Sequence, residues 1–529
     1  MPVGSFALVL HSHIPYCRKS GVWPFGEEWV FEAMAETYIP VLDVIRSAPV
    51  PPGHPFLTLS LTPVLLEQLA DSYMQSRFLE YLDQRIEAAR RDAERFGDAR
   101  DDRLAGLARF YADYYEHIRG RFTDEYDCGL IGAIRDMVAD GRVEVLASAA
   151  THAYLPLLSK DSSISAQVKI GIEACRRHFD CGPRGIWLPE CGYSPGRIER
   201  ALEDCGIQYF FADTHAVSGG APMGLYGPEP AGVRQCAALP GLSTYRPYRL
   251  RGWDLAVFGR DEATAAQVWS RDWGYPGDGA YREFHKRDDR SGLPYWRVTN
   301  RLLDLGQKDI YNIEAARATA RTHAKHFVRL LERGLSRYLQ ETGEAGVIVS
   351  PFDMELFGHW WFEGVQWLQD VFDILLPENT VQMTSAGEYL AAHPPTIEID
   401  LVESSWGQGG GHSIWLNSGT RWMWESVVKA EQIAGRLGAD AERLPQEARD
   451  FADQAVREFL LLSASDWPFL VTTGQARDYA QERFTRHLED FHLLAEAADR
   501  AQPTDSDREA LARVRERDAV FQWVDCSKL

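Results

Sequence analysis

Seven short apolar runs occur between residues 5 and 353, and amphipathic helical stretches lie between them. Continuous apolar strands that alternate with helices predict parallel β-strands covered by helices. The runs are SFALVLHSH (5–13), FLTLSLTP (56–63), VEVLAS (143–148), GIWLPE (185–190), IQYFFAD (207–213), LAVFGRD (255–261) and GVIVSPFD (346–353).

Polar residues end each run, and this placement predicts a functional site. Parallel strands that close on themselves form a barrel, whose chemistry lies at the C-terminal ends of the strands. The usual barrel of this kind has about eight strands, so the runs in this chain are one short. The residues at or just beyond the predicted strand ends are His11, His13, Glu190, Asp213, Arg260 and Asp353.

The pattern changes after about residue 395, which predicts two domains. Residues 1–395 are predicted to form a catalytic domain with insertions at about 66–127 and 214–254. The first insertion is helical. The second, together with residues 270–300, is typical of loops over an active site. Residues 396–529 begin with a segment rich in glycine and tryptophan (404–417). Helical stretches follow at about 421–438, 442–463, 474–499 and 505–517, which predicts a C-terminal helical domain.

Composition indicates which kinds of binding partner and which cellular compartment to expect. At 529 residues the chain exceeds one ordinary core, and its net charge of −21 disfavours nucleic acid as a partner. Its eight cysteines are scattered, without zinc-like spacing. We see no signal peptide and no run near the roughly 20 apolar residues of a membrane span, so we expect a soluble, reduced, cytoplasmic protein. The final Ser527-Lys528-Leu529 matches a peroxisomal signal, although three residues often match by chance.

Glu190 and Asp353 each follow an apolar strand, which would fix their carboxyl groups at the barrel edge. Cys191-Gly192 would let the chain turn at once. A carboxylate held in this way suits nucleophilic attack, but position alone fits a helix-capping or salt-bridging Glu190 equally well. Trp360 and Trp361 would partly desolvate Asp353 and raise its pKa, as a general acid requires. At least one of these tryptophans is also predicted to begin a buried helix.

Two carboxyl groups from different strand ends are the minimum set for glycosidic bond chemistry. A separation of roughly 5–5.5 Å between them would give a retaining mechanism with a covalent glycosyl-enzyme intermediate. Transfer to a sugar hydroxyl needs such an intermediate, because the cut chain must wait for its acceptor.

The main competing hypothesis is a metal-dependent hydrolase of the amidohydrolase or deacetylase type. His11 and His13 lie on one face of the first strand, and His152 and His359 are candidate additional ligands. An HxH pair alone is a weak signal, and no clear set of further ligands follows at successive strand ends. Neutral histidines that donate hydrogen bonds to sugar hydroxyls explain the same pattern.

Two further segments carry candidate sugar-binding residues. Trp406 is followed by glycines, which allow a ligand to approach closely. Asp466, beside Trp467, lies in an apolar helical context, where a buried carboxylate is either functional or the N-cap of the next turn. The glycines at 407–411 follow no strand–helix pattern that would bind phosphate.

Taken in order, these motifs resemble those of glycoside hydrolase family 57. The residues that carry the resemblance are HSHIPY (11–16), VEVLAS (143–148), WLPECGY (187–193), SPFDMELFGHWW (350–361) and SWGQGGGHSIWLN (405–417). Within the family the chain is most similar to the 1,4-α-glucan branching enzymes, as WPFGEE (23–28), AMAETYIPVL (33–42), WSRDWGYPGDGAYREFH (269–285) and ASDWPFL (464–470) indicate.

The resemblance implies a distorted TIM-like (β/α)7 barrel with a helical insertion and a C-terminal all-helical domain, a retaining mechanism, and no metal or organic cofactor. It implies that Glu190 is the nucleophile and Asp353 the general acid/base. Tyr226 resembles a tyrosine on a mobile loop that favours transfer over hydrolysis. The implied glucan-binding residues are Arg260, Gly277, Trp406, Asp466 and Gln475, with His11, His13 and His152 around the donor sugar. Trp360 is a further predicted substrate-binding residue.

The expected partner is an α-glucan polysaccharide such as amylose or glycogen, and the expected state is a monomer or a weak homo-oligomer. The chain departs from the family pattern at two places. After WLPECGYSPG it lacks a longer insertion that some relatives carry, and its C-terminal tail matches the family only loosely. The alternatives are an α-1,4-glucan hydrolase of the amylase type, the metal-dependent hydrolase, and a non-catalytic glucan-binding protein. Retention of both carboxylates argues against the last.

Overall fold

The strands of the structure coincide with the seven apolar runs and include three further short ones. The computed structural model describes residues 2–220, 222, 241–270, 273–378, 380–500 and 502–529. Within them the strands are β1 (Gly4–Ser12), β2 (Leu57–Leu61), β3 (Val143–Ser148), β4 (Gly185–Trp187), β5 (Tyr209–Ala212), β6 (Tyr248–Leu250), β7 (Ala256–Gly259), β8 (Gly346–Asp353), β9 (Val381–Met383) and β10 (Glu398–Ile399).

The seven parallel strands follow the order β7-β5-β4-β3-β2-β1-β8. Of the short strands, β6 pairs antiparallel with β7, while β9 and β10 pair parallel with β1 and β6. The Asp261 N–H donates to the Val349 carbonyl at 2.9 Å, and the Val347 N–H donates to the Tyr245 carbonyl at 2.8 Å. These bonds join β8 to residues beside β6 and β7, so the sheet curves back on itself and the predicted distorted barrel is confirmed.

The strands are apolar on both faces because the barrel interior takes one face and helices cover the other. On β1 this leaves five consecutive residues no more than 1% exposed, namely Phe6, Ala7, Leu8, Val9 and Leu10. After this apolar run, polar residues follow where β1 ends, at His11 and Ser12. Burial of the apolar side chains therefore stabilises β1, and His11 and Ser12 lie at its C-terminal end.

Helices surround the barrel and form the regions added to it. They are α1 (Glu27–Ala33), α2 (Ile39–Ser47), α3 (Pro63–Ala70), α4 (Ser72–Asp98), α5 (Asp102–Gly120), α6 (Leu130–Ala139), α7 (Asp161–Phe179), α8 (Ile198–Asp204), α9 (Thr214–Ser218), α10 (Glu262–Trp269), α11 (Ile313–Thr342), α12 (Gly364–Leu375), α13 (Ala386–Ala392), α14 (Arg421–Asp440), α15 (Gln446–Leu462), α16 (Asp466–Thr473), α17 (Arg477–Ala498) and α18 (Asp505–Arg517).

The inserted helical region between β2 and β3 contains two long helices, α4 and α5. Asp71 and Asp101 cap their N-termini, because each carboxylate accepts a backbone N–H bond of 3.0 Å from the first turn. Glu87 and Arg91, one helical turn apart on α4, form an ion pair at 3.4 Å, but both side chains are exposed and the pair adds little stability.

The C-terminal region is all-helical, as predicted, and consists of α14 to α18. Four of these helices match the predicted stretches, whereas the short α16 was not predicted as a separate helix. Its sequence, DWPFLVTT, is apolar without a clear polar face, so periodicity gives little signal there. The last residue of the chain, Leu529, lies against Gly438 of α14.

Seven cysteines lie in the described part of the chain, and all seven are free thiols. Among the same residues, no helix combines the length and hydrophobicity needed to cross a membrane.

Two glycines predict opposite effects of the same substitution. Gly171 of α7 packs against β3, and an added Cβ would lie 1.8 Å from the Ser148 carbonyl oxygen. We expect Gly171→Ala to lower the free energy of unfolding by about 3 kcal/mol, because the helix must move off the strand. Gly132 of α6 has open space around it, so Gly132→Ala should raise stability by roughly 0.5–1 kcal/mol. Denaturant titration of both variants checks the pair, and equal effects would contradict it.

Candidate active site

Glu190 lies in a tight turn that follows β4 at the C-terminal end of the barrel. Glu190 and Cys191 make this turn themselves, with φ angles of 61° and 49°. The chain turns at once through Cys191-Gly192, as expected, and the Gly192 N–H donates to the Pro189 carbonyl at 2.9 Å, although Gly192 itself has an ordinary φ of −71°. Gly192 is needed for space, because a Cβ there would lie 2.8 Å from the Tyr154 ring. Left-handed backbone at two non-glycine residues is unfavourable and persists only where the surroundings enforce it, often at functional sites.

The Glu190 carboxyl is bound by two neutral donors. The Trp406 indole N–H donates to Oε2 at 2.6 Å, and the Ser465 hydroxyl donates to Oε1 at 3.4 Å. Burial, together with the charge of Asp466, raises the pKa of Glu190 to about 7, although both donated bonds oppose the rise. Within the described residues, its partners are thus an indole and a hydroxyl, not the cation or helix N-terminus of a structural carboxylate.

Asp353 is the last residue of β8 and is in register with His11 at the end of β1. Burial and then the charge of Glu190 raise the pKa of Asp353 to about 7, while Arg260 and His13 act in the opposite direction. The ionisation of Asp353 therefore depends on the charge of Glu190.

The two tryptophans after Asp353 have different surroundings. Trp361 is 1% exposed and packs against Tyr281 and Trp367 in an aromatic cluster. Trp360 is 40% exposed and lies 6.1 Å from the Trp269 ring, measured between centroids. Neither begins a helix, because α12 starts at residue 364. Trp360 is the one that presents a free aromatic face.

Three of the predicted histidines meet beside the carboxyl groups. His11 and His152 join through their Nε2 atoms at 3.2 Å, and the rings of His13 and His152 stack at 3.9 Å. Burial holds the pKa of His11 and of His152 well below the usual value. Both rings are therefore neutral at neutral pH, and each has one donor and one acceptor nitrogen.

The ring geometry argues against the metal-site hypothesis. His13, His152 and Asp466 each offer a ligand atom within 4.8 Å of the others. However, the lone pair of an imidazole nitrogen lies in the ring plane, and rings stacked at an angle of 18° do not direct their lone pairs to a common point. His359 is elsewhere, with its ring 3.6 Å from Glu32. The cluster is better suited to hydrogen bonding with hydroxyl groups.

Asp466 reaches the barrel from the C-terminal region. Both of its oxygens accept from the His13 Nε2 atom, at 3.0 and 2.9 Å. The N-cap interpretation is wrong, because Ser465 occupies the cap position of α16 and Asp466 is the first helical residue. The neighbouring Trp467 is buried and donates its indole N–H to the Leu461 carbonyl at 2.9 Å.

Arg260 lies between the barrel and the Gly- and Trp-rich segment. Its guanidinium is 5.4 Å from the Trp406 ring centroid and 3.6 Å from the Asp213 carboxylate. Burial would raise the pKa of Asp213, but a 2.9 Å bond to His215 and the charge of Arg260 hold it below its ordinary value. Asp213 therefore remains ionised and positions Arg260 against Trp406.

Two other predicted binding residues have no described contact with Glu190 or Asp353, and a third is not described. Gly277 lines a cavity of about 440 Å³ together with Trp273, and no described contact joins it to Glu190 or Asp353. Gln475 is exposed and follows the glycine that ends α16. Tyr226 lies outside the described residues.

Two residues of the site were not predicted. Ser465 contacts both Glu190 and His152. Glu355 accepts hydrogen bonds from the Tyr38 hydroxyl and from the His13 N–H, and burial raises its pKa to about 8. Their positions in the sequence, next to Asp466 and two residues after Asp353, were the available signals.

The comparisons with known proteins agree with this geometry. The sequence profile of glycosyl hydrolase family 57 matches residues 7–401, and a profile described as the C-terminal region of 1,4-alpha-glucan branching enzymes matches residues 427–528. A 1,4-alpha-glucan branching enzyme of Thermococcus kodakarensis is 40% identical over 542 aligned positions, which cover 98% of this chain and 78% of that protein.

Solved structures extend the similarity to the fold. The crystal structure of that Thermococcus enzyme, in complex with glucose and additives, matches with a TM-score of 0.90 and 38% identity over 99% of this chain and 96% of the other. An alpha-amylase of Thermotoga maritima matches with a TM-score of 0.85 and 29% identity, over 99% of this chain and 98% of the other. The chain therefore belongs to glycosyl hydrolase family 57, and within that family it is a 1,4-alpha-glucan branching enzyme.

Proposed function

We propose that Glu190 is the nucleophile and Asp353 the general acid/base of a retaining transglycosylation. The observation that supports this is the pair of carboxyl groups whose pKa values burial raises to about 7. Near neutral pH such a pair has one carboxylate to attack and one carboxylic acid to donate a proton. The bonds that Trp406 and Ser465 donate favour the ionised form of Glu190, which leaves the proton on Asp353.

In the first step, Glu190 attacks the anomeric carbon of an α-1,4 linkage. The bond from that carbon to the O4 atom of the next glucose breaks as Asp353 protonates this oxygen, and the shortened glucan leaves. The cut chain remains as an ester on Glu190. Asp353 is then a carboxylate, poised to act as a base.

In the second step, Asp353 removes the proton from a 6-hydroxyl of an acceptor glucan. The oxygen attacks the anomeric carbon, Glu190 departs as a carboxylate, and an α-1,6 branch forms with retained configuration. Asp353 is protonated again, so the pair returns to its starting state. Water in place of the 6-hydroxyl would give hydrolysis by the same steps.

The substrate is an α-glucan, and we infer an amylose- or glycogen-type chain bound along the open end of the barrel. Trp406 and the exposed Trp360 offer flat apolar faces for sugar rings, while Arg260 and Asp466 offer charged groups for hydroxyls. We assign His11, His13 and His152 to the donor sugar, and keep Gly277, Gln475 and Tyr226 as predicted binding positions. Residues 396–529 form a second domain in this proposal, which contributes Trp406 and Asp466 to the site.

Product analysis tests the proposed reaction. We expect amylose incubated with the protein to gain α-1,6 linkages, which a debranching enzyme releases as short chains, with few new reducing ends before debranching. The comparison is amylose treated with the Glu190→Gln variant, which should gain neither. New reducing ends without releasable branches would contradict the branching step.

Hydrolysis of α-1,4 linkages is the reaction that competes with branching at this site. The observation in its favour is the close structural match to the Thermotoga alpha-amylase, which indicates that the scaffold itself does not decide between water and sugar as acceptor. The same product analysis distinguishes the two, because a hydrolase forms one reducing end for each bond that it cuts.

A further inference from the structure

A chain of four hydrogen bonds leads from the interior of the barrel to Glu190. His11 Nδ1 pairs with the Ser60 hydroxyl at 3.1 Å, and His11 Nε2 pairs with His152 Nε2 at 3.2 Å. His152 Nδ1 pairs with the Ser465 hydroxyl at 2.8 Å, and that hydroxyl reaches Oε1 of Glu190 at 3.4 Å. Ser465 is thus the only link between the histidines and the carboxyl in this chain of bonds.

The number of protons available determines which group donates in each of these four hydrogen bonds. The Ser465 hydroxyl has a single proton, so a bond donated to Glu190 requires that His152 Nδ1 donates to Ser465. His152 Nε2 must then accept from His11 Nε2, and His11 Nδ1 accepts from Ser60. All four groups are neutral in this arrangement, in agreement with the burial that keeps both rings unprotonated. Aligned bonds of this kind polarise and strengthen one another.

Backbone contacts hold Ser465 in place. Its N–H donates to the His152 carbonyl at 3.1 Å, and Ala464 forms an antiparallel bridge with Ala153. Ser465 is 1% exposed. Its hydroxyl is therefore directed by the loop after β3, and it has little freedom to turn toward solvent.

We propose that Ser465 is a positioning residue, which holds the carboxylate of Glu190 in its ionised, attacking state through the hydrogen-bond chain from His11 and His152. This inference rests on the proposed role of Glu190. It assigns to the C-terminal region a part in the chemical step, in addition to its contacts with substrate.

Several titratable groups face Glu190 from the surrounding elements. Asp466 on α16 carries a negative charge that acts on Glu190, while Asp353 on β8 holds the proton in the resting site. The Tyr154 hydroxyl, the Cys191 thiol and His152 are neutral, because burial raises the pKa of the first two and lowers that of the third. Removal of the Ser465 hydroxyl changes none of these charges, so its effect should fall on Glu190 alone.

The test is the pH dependence of kcat/KM for cleavage of a maltooligosaccharide by the full-length chain, followed as consumption of the substrate. Ser465→Ala removes a bond that favours the ionised carboxylate, so the pKa of Glu190 rises. On the acid side of the optimum, kcat/KM should fall about fivefold, the effect of one ordinary hydrogen bond on an acidity constant. On the alkaline side, where Glu190 is ionised in both proteins and Asp353 limits the rate, kcat/KM should be unchanged. Ser465→Thr retains a hydroxyl and should restore most of the acid-side rate.

Ser463→Ala is the matched control, because Ser463 is equally buried in the same turn but donates to the Phe459 carbonyl at 2.8 Å. It should leave both sides of the pH profile unchanged. An equal loss on both sides for Ser465→Ala, no loss at all, or the same acid-side loss in Ser463→Ala would overturn the proposal. Failure of the underlying role of Glu190 is distinguishable, because Glu190→Gln would then remain active.

Discussion

Replacement of Glu190 by glutamine should abolish glucan cleavage and branching while the protein remains folded. The amide is nearly the same shape and its oxygen still accepts from the Trp406 indole, but it cannot attack the anomeric carbon. Loss of a covalent nucleophile lowers kcat by roughly 10⁴–10⁶-fold. Reducing-end and branch assays of the purified variant measure this loss, and wild-type-like branching would refute the assignment.

The same variant should be more stable than the wild type, by a margin that depends on pH. Burial raises the pKa of Glu190 from 4.5 to about 7, so the folded protein holds a proton that the unfolded chain releases. Stability from this group is complete below pH 4.5 and is lost as pH rises to about 7. Glutamine does not ionise, so the difference in melting temperature in favour of the variant should grow across this range and then level off.

Azide distinguishes a nucleophile from a merely necessary carboxylate. In Glu190→Ala the small anion should occupy the vacated space and attack an α-linked donor once, giving a β-glycosyl azide. Glu199→Ala is a control for the loss of a buried carboxyl, since Glu199 binds Tyr193 and the Gly196 N–H and not the reacting centre. Azide should form no product with it, and product of α configuration from Glu190→Ala would contradict the assignment.

The barrel strands were predictable because burial on both faces requires an apolar run, and local sequence alone shows such a run. The residues at strand ends were predictable for the same reason, since a parallel barrel brings all these ends to one edge. Glu190, Asp353, His11 and Arg260 all follow this rule. The family resemblance added roles, which position by itself left open for Glu190.

Contacts between distant parts of the chain were not predictable. Ser465 meets Glu190 across 275 positions and Asp466 meets His13 across 453. Nothing in the local sequence of α16 indicates that its first residue points into the barrel rather than capping its own helix. The turn directly after Glu190 was predicted, but its left-handed residues were not, because glycine is the usual residue for a positive φ and here Glu190 and Cys191 adopt it instead.

Distance along the sequence also did not predict which histidines lie together in the structure. His359 follows Asp353 by six residues but lies beside Glu32, because the chain turns away from the barrel edge in the segment before α12. His152, much farther along the chain from His11 and His13, contacts both. The metal hypothesis took His11 and His13 from one face of a strand and added His152 and His359 by residue type. The orientations of the His13 and His152 rings favour a sugar-binding cluster instead.

Replacement of Asp353 by alanine should affect the two steps of the reaction differently when the leaving group of the donor is varied. With a natural glucan, cleavage should fall by about 10²–10⁴-fold, because the departing oxygen receives no proton. A maltooligosaccharyl fluoride needs no such proton, so its first step should continue while the base for the second step is missing. The glycosyl ester on Glu190 should therefore accumulate, and mass spectrometry of the intact protein measures it.

Azide completes the argument for Asp353, because this anion needs no base. It should release the accumulated ester from Asp353→Ala as an α-glycosyl azide, the opposite configuration to that expected from Glu190→Ala. Asp370→Ala, which removes a buried carboxyl of α12 that pairs with Arg321 and Gln366, should neither accumulate ester nor respond to azide. Azide products of the same configuration from both site variants would contradict the division of roles, since only a nucleophile and an acid/base on opposite faces of the sugar give opposite products.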